Sequence, residues 1–366
     1  LRVPIADLRA QYESIRPAVQ EAVLNVIESG RYVLGENVAA LEQEIAELCG
    51  ARYGVGVASG TDALALSLAA LGVSPGDEVI TTPFTFVATV EVIALLGARP
   101  VFVDLDPVTF NIDPGKIEDK ITARTRVIMP VHLYGQTADM TRILDIAQSR
   151  GIKVVCDGAQ AIGAEHHGKP IGYFGDLVTL SFFPTKNLGG AGDGGMVLTN
   201  DADLAEKVRY LRVHGSDGTY SYKCVGYCSR LDEIQAAILR AKLPYLTTWN
   251  EARRNNAAVY DMLLRGLDVV LPTEMPCNKH VYHQYTIRSK RRDELRAWLK
   301  NNGIDTGVYY PSPLHLERAY QYLGYTRGDF PLCEEACDEV LSLPVFPELT
   351  DEQIAHVAFS IRRFFE

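Results

Sequence analysis

Thr125–Ala161 reads TRVIMPVHLYGQTADMTRILDIAQSRGIKVVCDGAQA, a complete strand–helix–strand unit. The apolar run from Thr125 stops near His132, and Asp139–Ser149 then carries apolar residues at helical spacing. IKVVCD follows and closes at Asp157. Two strands joined through a helix of this length run parallel, because the chain must cross back to begin the second strand at the same edge. The alternation extends outward in both directions. On the amino side stand DEVITTP (77–83), a helix from about Ala88 to Leu96, RPVFVDLD (99–106) and a helix from Pro114 to Ile121. Earlier still, 7–29 and 36–48 have helical spacing, and strand Tyr53–Ala58 runs into the leucine-rich helix Ser59–Gly72. On the carboxyl side come apolar runs Leu177–Phe183 and Met196–Thr199, then a helix from Asp201 to Val213. This pattern predicts an α/β fold with a mostly parallel central sheet and helices on both faces.

Beyond Gly215–Tyr227, a polar and aromatic stretch that reads as an exposed loop, the pattern changes. RLDEIQAAILRAKLPYL (230–246) is amphipathic, and a helix over Trp249–Leu264 follows. A strand over Val281–Arg288, a helix over Asp293–Asn301 and helices near 329–341 and 350–365 make a smaller C-terminal α+β domain. The expected division is 1–250 for the N-terminal helices and large domain, and 251–366 for the small one.

Composition narrows the function. A net charge of −10 argues against a nucleic-acid binder, since such proteins present basic patches. No apolar run approaches the length of a membrane span, so no membrane partner is expected. LRVPIADLRAQY has no signal-peptide core, which predicts a cytoplasmic protein whose numbering begins just inside the native start. Seven cysteines, an odd number in a long acidic chain, fit reduced thiols better than a disulfide framework. Two C-x3-C pairs, Cys224/Cys228 and Cys333/Cys337, lack further ligands at zinc spacing, so no metal is expected.

In parallel sheets ligands gather beyond the carboxyl ends of the strands. Phe84, Phe86, Asp104, His132, Asp157 and Lys186 all stand just past apolar runs and should share that edge. Lys186 follows Pro184 in a turn between two apolar strands, with five glycines after it. An ammonium held at the edge of a core loses solvation, its pKa falls, and the amine becomes a usable nucleophile. Ser59–Gly60–Thr61–Asp62 opens a helix directly after a strand, where unpaired N–H groups and the helix dipole favour phosphate. The alternative is ordinary N-capping by Ser59 or Thr61. Asp157 is either an N-cap or a buried carboxylate that keeps a ring nitrogen protonated. The paired aromatics of TTPFTFVAT serve either as core or as a platform for a flat cofactor.

SGTDAL, PFTFVAT, PVHLYGQTADM, CDGAQA, SFFPTKNLGGAGDGG, SRLDEIQAAIL and LSLPVFPELT occur in this order along nearly the whole chain. Together they resemble the DegT/DnrJ/EryC1/StrS family of pyridoxal-phosphate sugar aminotransferases. The resemblance implies the fold-type-I aminotransferase architecture and a homodimer with shared active sites. It implies that Lys186 forms the internal aldimine with pyridoxal 5′-phosphate, that Asp157 holds the pyridine nitrogen, and that Gln160 contacts the ring hydroxyl. Gly60, Thr61 and Asp62 (by backbone) and Ser181 would hold the phosphate, and Phe86, or secondarily Phe84, would stack on the ring. The implied reaction moves an amino group from L-glutamate to a keto group of a nucleotide-linked sugar. Lys186, where some relatives carry histidine, argues against the dehydratase branch. PFTFVAT with SFFPTK leans toward a 3-keto sugar; a C4 ketosugar, a keto-cyclitol and a non-catalytic cofactor-binding regulator are the alternatives.

Three places depart from the family pattern, the smallest being Gly158 for a usual alanine. Cys228 stands where an asparagine usually reaches the partner subunit's cofactor phosphate, and a thiol is a poor donor. Arg230 follows and either binds a carboxylate or phosphate across the interface or serves as a surface ion-pair partner. Tyr309–Tyr310–Pro311 replaces a usual His-Tyr-Pro, so Tyr309, Tyr310 and His315 are the expected substrate contacts.

Overall fold

Neighbouring apolar residues within each central strand must be buried on opposite sides, because side chains alternate across a sheet. The computed structural model, which describes residues 1–218 and 220–366, shows this directly. Ile80, Ile128, Val154, Val178 and Leu198 enter one buried cluster, while their neighbours Val79, Val127, Val155, Leu177 and Val197 enter another. Helices cover both clusters, which is why the strands read as continuous apolar runs.

The strands are β1 (Tyr53–Val57), β2 (Glu78–Thr81), β3 (Arg99–Phe102), β4 (Thr125–Ile128), β5 (Lys153–Asp157), β6 (Glu165–His166), β7 (Lys169–Pro170), β8 (Leu177–Ser181) and β9 (Gly195–Thr199), followed by β10 (Asn278–Lys279), β11 (Tyr285–Arg288) and β12 (Val340–Leu343). The α-helices are α1 (Leu8–Ser29), α2 (Glu36–Cys49), α3 (Gly60–Ala70), α4 (Ala88–Leu95), α5 (Met140–Arg150), α6 (Ala202–Leu211), α7 (Glu233–Lys242), α8 (Leu246–Leu264), α9 (Arg292–Asn301), α10 (Pro331–Glu339) and α11 (Asp351–Phe365). The central sheet has seven strands in the order β1-β9-β8-β5-β4-β2-β3. β9 is antiparallel to both its neighbours and the remaining pairings are parallel, so the sheet is mostly parallel as expected.

α3 packs between sheet and solvent-side helices with Leu64, Leu66 and Leu68 all buried. Each contributes about 1.5–3 kcal/mol by leaving water. A separate cluster joins the second half of α8 (Ala257, Tyr260, Leu264) to β11, β12, α9 and α11, and it includes Val3 from the amino end. Among the described residues, no helix is long and apolar enough to cross a membrane.

Three sequence expectations change. Residues 114–121 form two short 3₁₀ turns, Pro114–Lys116 and Glu118–Lys120, in place of a helix. Asp113 Oδ1 accepts from Gly115 N at 2.9 Å, and this local bond captures an amide at the outset. The strand expected over 281–288 shortens to β11, because Val281 and Gln284 pair with the Gly135 and Tyr134 carbonyls. The helix expected to reach 341 stops at Glu339, and β12 continues from it against β11.

Candidate active site

Asp157 ends β5 and is 5% exposed. Its backbone is pinned from both sides: its N–H donates to the Pro130 carbonyl and its carbonyl accepts from His132 N, each at 2.9 Å. Oδ2 accepts from Thr89 Oγ1 at 2.8 Å and Oδ1 from Ala159 N at 3.1 Å. No helix follows β5, so the Ala159 contact closes a turn in place of the expected N-cap, and a second donor from α4 joins it. Burial raises the Asp157 pKa, while Thr89, Ala159 and the Lys186 charge pull it down.

Lys186 lies in the β8–β9 connection, partly buried and within electrostatic reach of Asp157. Burial pushes its pKa from 10.5 down to about 8, against the opposing pull of the Asp157 charge. Lys186 N donates to Phe183 O at 2.9 Å, which closes the turn. The glycines that follow let α7 grip this loop. Gln235 Oε1 accepts from Ala191 N at 2.8 Å, and Lys242 Nζ donates to Gly189 O at 2.7 Å. A Cβ at Gly189 would run into the Pro184 carbonyl, so the loop closes only with glycine there.

At the start of α3, a Cβ on Gly60 would come within 2.7 Å of Ser181 Cβ. Glycine thus brings the helix terminus directly onto the end of β8, placing the Ser181 hydroxyl beside the first turn. Ser59 Oγ caps the helix by accepting from Asp62 N at 3.0 Å. The Asp62 amide, expected for phosphate, is therefore already engaged, and the anion-binding potential of this terminus falls on the Gly60 and Thr61 N–H groups.

The aromatic turn splits in two. Phe84 is 1% exposed and packs with Phe110, Tyr134 and Tyr310, so it belongs to the core. Phe86 is 55% exposed, with its ring 6.3 Å from that of Tyr310. Gln160 Oε1 accepts from Tyr134 N at 2.7 Å, and Nε2 donates to the Tyr310 hydroxyl at 3.3 Å. Tyr134 donates its own hydroxyl to the Tyr309 carbonyl, which ties the Tyr309–Tyr310 segment to the sheet edge.

Other expected residues sit elsewhere. His315 is wholly buried, paired with Glu334 Oε1 at 3.0 Å and edge-on to Phe330; it packs the interior and does not offer a substrate contact. Asp104 lies at the expected edge but accepts from Leu332 N and Cys333 N, capping α10. His132 is fully buried, with Nδ1 accepting from Ala138 N. Cys228 and Arg230 are exposed, and Arg230 donates to Cys228 Sγ at 3.4 Å.

Sequence reasoning missed Thr89, although it lies in PFTFVAT, four residues from Thr85, whose hydroxyl is 2.9 Å from its own. It also missed the support behind the lysine. Asn187 Nδ2 donates to Asn250 Oδ1 and Val281 O, and Asn187 Oδ1 lies 3.1 Å from His283 Nδ1. Burial, with the Lys186 and Arg253 charges, drives the His283 pKa well down, so a neutral ring backs the lysine loop. A concavity of about 390 Å³ lined by Thr125 and Lys153 lies away from this edge, at the starts of β4 and β5.

The profile of the DegT/DnrJ/EryC1/StrS aminotransferase family matches residues 13–362. A "Pleiotropic regulatory protein" of Geobacillus stearothermophilus is 53% identical over 100% of this chain and 99% of its own length. A UDP-N-acetyl-3-dehydro-alpha-D-glucosamine 3-aminotransferase of Acidithiobacillus ferrooxidans is 48% identical, covering 99% of this chain and 97% of its own. Among solved structures, Streptomyces venezuelae DesV superposes with a TM-score of 0.98 at 44% identity, covering 100% of this chain and 99% of its own. NtdA of Bacillus subtilis, solved with bound cofactor PMP, gives 0.93 at 31%, covering 100% and 85%.

Proposed function

The chain belongs to the DegT/DnrJ/EryC1/StrS aminotransferase family, and from that premise we propose that it moves an amino group from L-glutamate to the C3 keto group of a nucleotide-linked sugar. The observation that carries this reading is a lysine with a pKa near 8 facing a buried carboxylate at the carboxyl edge of the sheet. The name of the Acidithiobacillus relative supports a C3 ketone as acceptor.

The donor set fits pyridoxal phosphate. It combines an amine for the aldehyde carbon, a carboxylate for the ring nitrogen, an exposed aromatic face and a glycine-opened helix terminus for the phosphate. When bound, the cofactor supplies an electron sink for charge developing at the substrate carbon. Lys186 would hold it through Nζ, with Asp157 on the ring nitrogen and Gln160 Nε2 near the ring hydroxyl. Gly60, Thr61 and Ser181 would hold the phosphate, and Phe86 would cover one ring face.

A pKa lowered to about 8 gives Lys186 a free-amine fraction of roughly a tenth at pH 7, far above that of an ordinary lysine, so that it can take a proton from the substrate carbon and return it. A positioned base of this kind contributes about 10²–10⁴-fold. Burial raises the Asp157 pKa, and Thr89, Ala159 and the Lys186 charge pull it back toward the anion that would pair with a ring nitrogen. Tyr309 and Tyr310, with Cys228 and Arg230 from a second subunit, would line the sugar and phosphate side of a homodimeric site. In this reading 1–250 bind the cofactor and 251–366 form the smaller domain.

A second reading, a cofactor-binding regulator without turnover, draws on the name of the Geobacillus relative. Absorbance of the cofactor-loaded protein separates the two. Glutamate should shift the spectrum and release 2-oxoglutarate, and a panel of keto-sugar nucleotides should restore it. A spectrum indifferent to glutamate would leave the regulatory reading standing.

A further inference from the structure

Outside the lysine site, His166, His167 and Cys277 present two nitrogens and one sulfur within 4.8 Å of one another. They come from segments widely separated in sequence. The β6–β7 hairpin carries the histidines, and Cys277 directly precedes β10. A three-stranded sheet, β10-β6-β7, joins these segments, pairing Asn278 with His166 and Lys279 with Glu165. His167 N also donates to Cys277 O at 2.5 Å, so the two backbones are locked beside each other.

The side chains have the features of a ligand set. His166 is buried and oriented at both ends, with Nδ1 2.7 Å from Asn278 Oδ1 and Nε2 2.9 Å from Thr141 Oγ1. A metal on one imidazole nitrogen displaces one of these contacts and leaves the other to fix the ring, as outer partners of ligating histidines do. Asn278 Oδ1 also lies 3.6 Å from Cys277 Sγ, at the rim of the cluster. Exposure is graded from buried His166 through Cys277 to exposed His167, which gives an ion a route in and leaves room for water as a fourth ligand. The two imidazoles are 4.5 Å apart and tilted 74°, so they do not stack against each other.

We propose that His166, His167 and Cys277 form a binding site for a zinc-class transition-metal ion. Two imidazoles and a thiolate select zinc or cobalt over magnesium and calcium, which take oxygen ligands. Bonds of about 2.0–2.3 Å in a tetrahedron hold ligand atoms roughly 3.3–3.8 Å apart. The cluster therefore contracts by about 1 Å on binding, and the exposed His167 side chain is free to supply the movement. As the sulfur–metal bond forms, the Cys277 thiol gives its proton to water. The ion ties the segment carrying β10 to the β6–β7 hairpin within the three-stranded sheet. The expectation of no metal rested on the two C-x3-C pairs, and Cys277 belongs to neither.

The test uses full-length holoenzyme freed of metal by chelation and titrated with cobalt(II), then zinc. One cobalt per chain is expected, with a thiolate-to-cobalt charge-transfer band that zinc abolishes, and zinc should raise the thermal midpoint. Cys277→Ser should remove the band. His167→Ala, at an exposed position and with folding verified by circular dichroism, should weaken cobalt binding about 10-fold or more. A Cys224→Ser/Cys228→Ser double variant should keep the band. Absence of a band in the wild type, its survival in Cys277→Ser, unchanged affinity in His167→Ala, or its loss in the double variant would each overturn the site.

Discussion

The Asp157–Lys186 edge and the 214–230 loop hold their side chains in two different ways. At the sheet edge every group is determined from within the chain. β5 and β8 set the backbones, Thr89 and Ala159 fill the carboxylate, and Asn187, Gln235 and Lys242 brace the lysine loop. In the loop, Cys228 and Arg230 are exposed, Val225 is 95% exposed, and much of the support is local. Ser229, buried and accepting from Ala58 N, ties the end of the loop to the segment just after β1. Bond-making chemistry needs fixed positions, and the first region supplies them. In the homodimer proposed above, a second subunit would complete the second region.

The sharpest way to break this contrast is Lys186→Ala. Turnover should fall by more than the ~10²–10⁴-fold of a general base, since the covalent hold on the cofactor goes as well. Single-turnover assays with the amine form of the cofactor would reveal any residual activity, and near-normal turnover would remove Lys186 from the chemistry. Thr89→Val strips one donor from a buried carboxylate. Hydrogen bonds to charged groups are worth about 1.5–3 kcal/mol, so kcat should fall roughly 10–100-fold while the fold survives, as circular dichroism would verify.

A third prediction concerns stability. In the cofactor-free protein, Lys186 has a pKa near 8 against 10.5 when exposed. Between these values the unfolded chain binds more protons, so stability rises with pH there. Below about pH 8 the full cost of burying the charge applies. Lys186→Met should therefore raise the apo-protein's thermal midpoint by a few degrees at pH 7, and the gain should shrink as pH climbs from about 8 toward 10.5. The smallest effect belongs to the other region. Cys228→Asn replaces a weak donor with an amide and should tighten cofactor binding a few-fold in titrations of apo-protein; unchanged affinity would separate position 228 from the phosphate.

Much of this was legible before any coordinates. Apolar runs such as VVC and LVTL announce buried parallel strands because burial on both faces forbids polar alternation. Asp157, Lys186 and the Gly60 terminus followed, since strand ends converge on one edge. What stayed hidden depends on distance or on context. VLSL after α10 is a short apolar run, which periodicity cannot assign to helix or strand. Thr89 looked like any small residue in a helix until the fold set it against Asp157. His315 looked like a substrate contact until packing closed over it. His166 and Cys277 meet only because β10 returns to the hairpin.

The reversal of β9 has a consequence in time. β1 lies at the edge of the sheet and pairs with β9 alone, through contacts from Tyr53↔Thr199 to Val57↔Gly195. Roughly 140 residues separate the two strands, and at about 5–20 residues per second a ribosome needs on the order of 10–30 s to make them. The first strand synthesised is thus among the last to be paired. Until Gly195 emerges, its edge has no neighbour, and only α2 and α3, made on either side of it, are at hand to shield it.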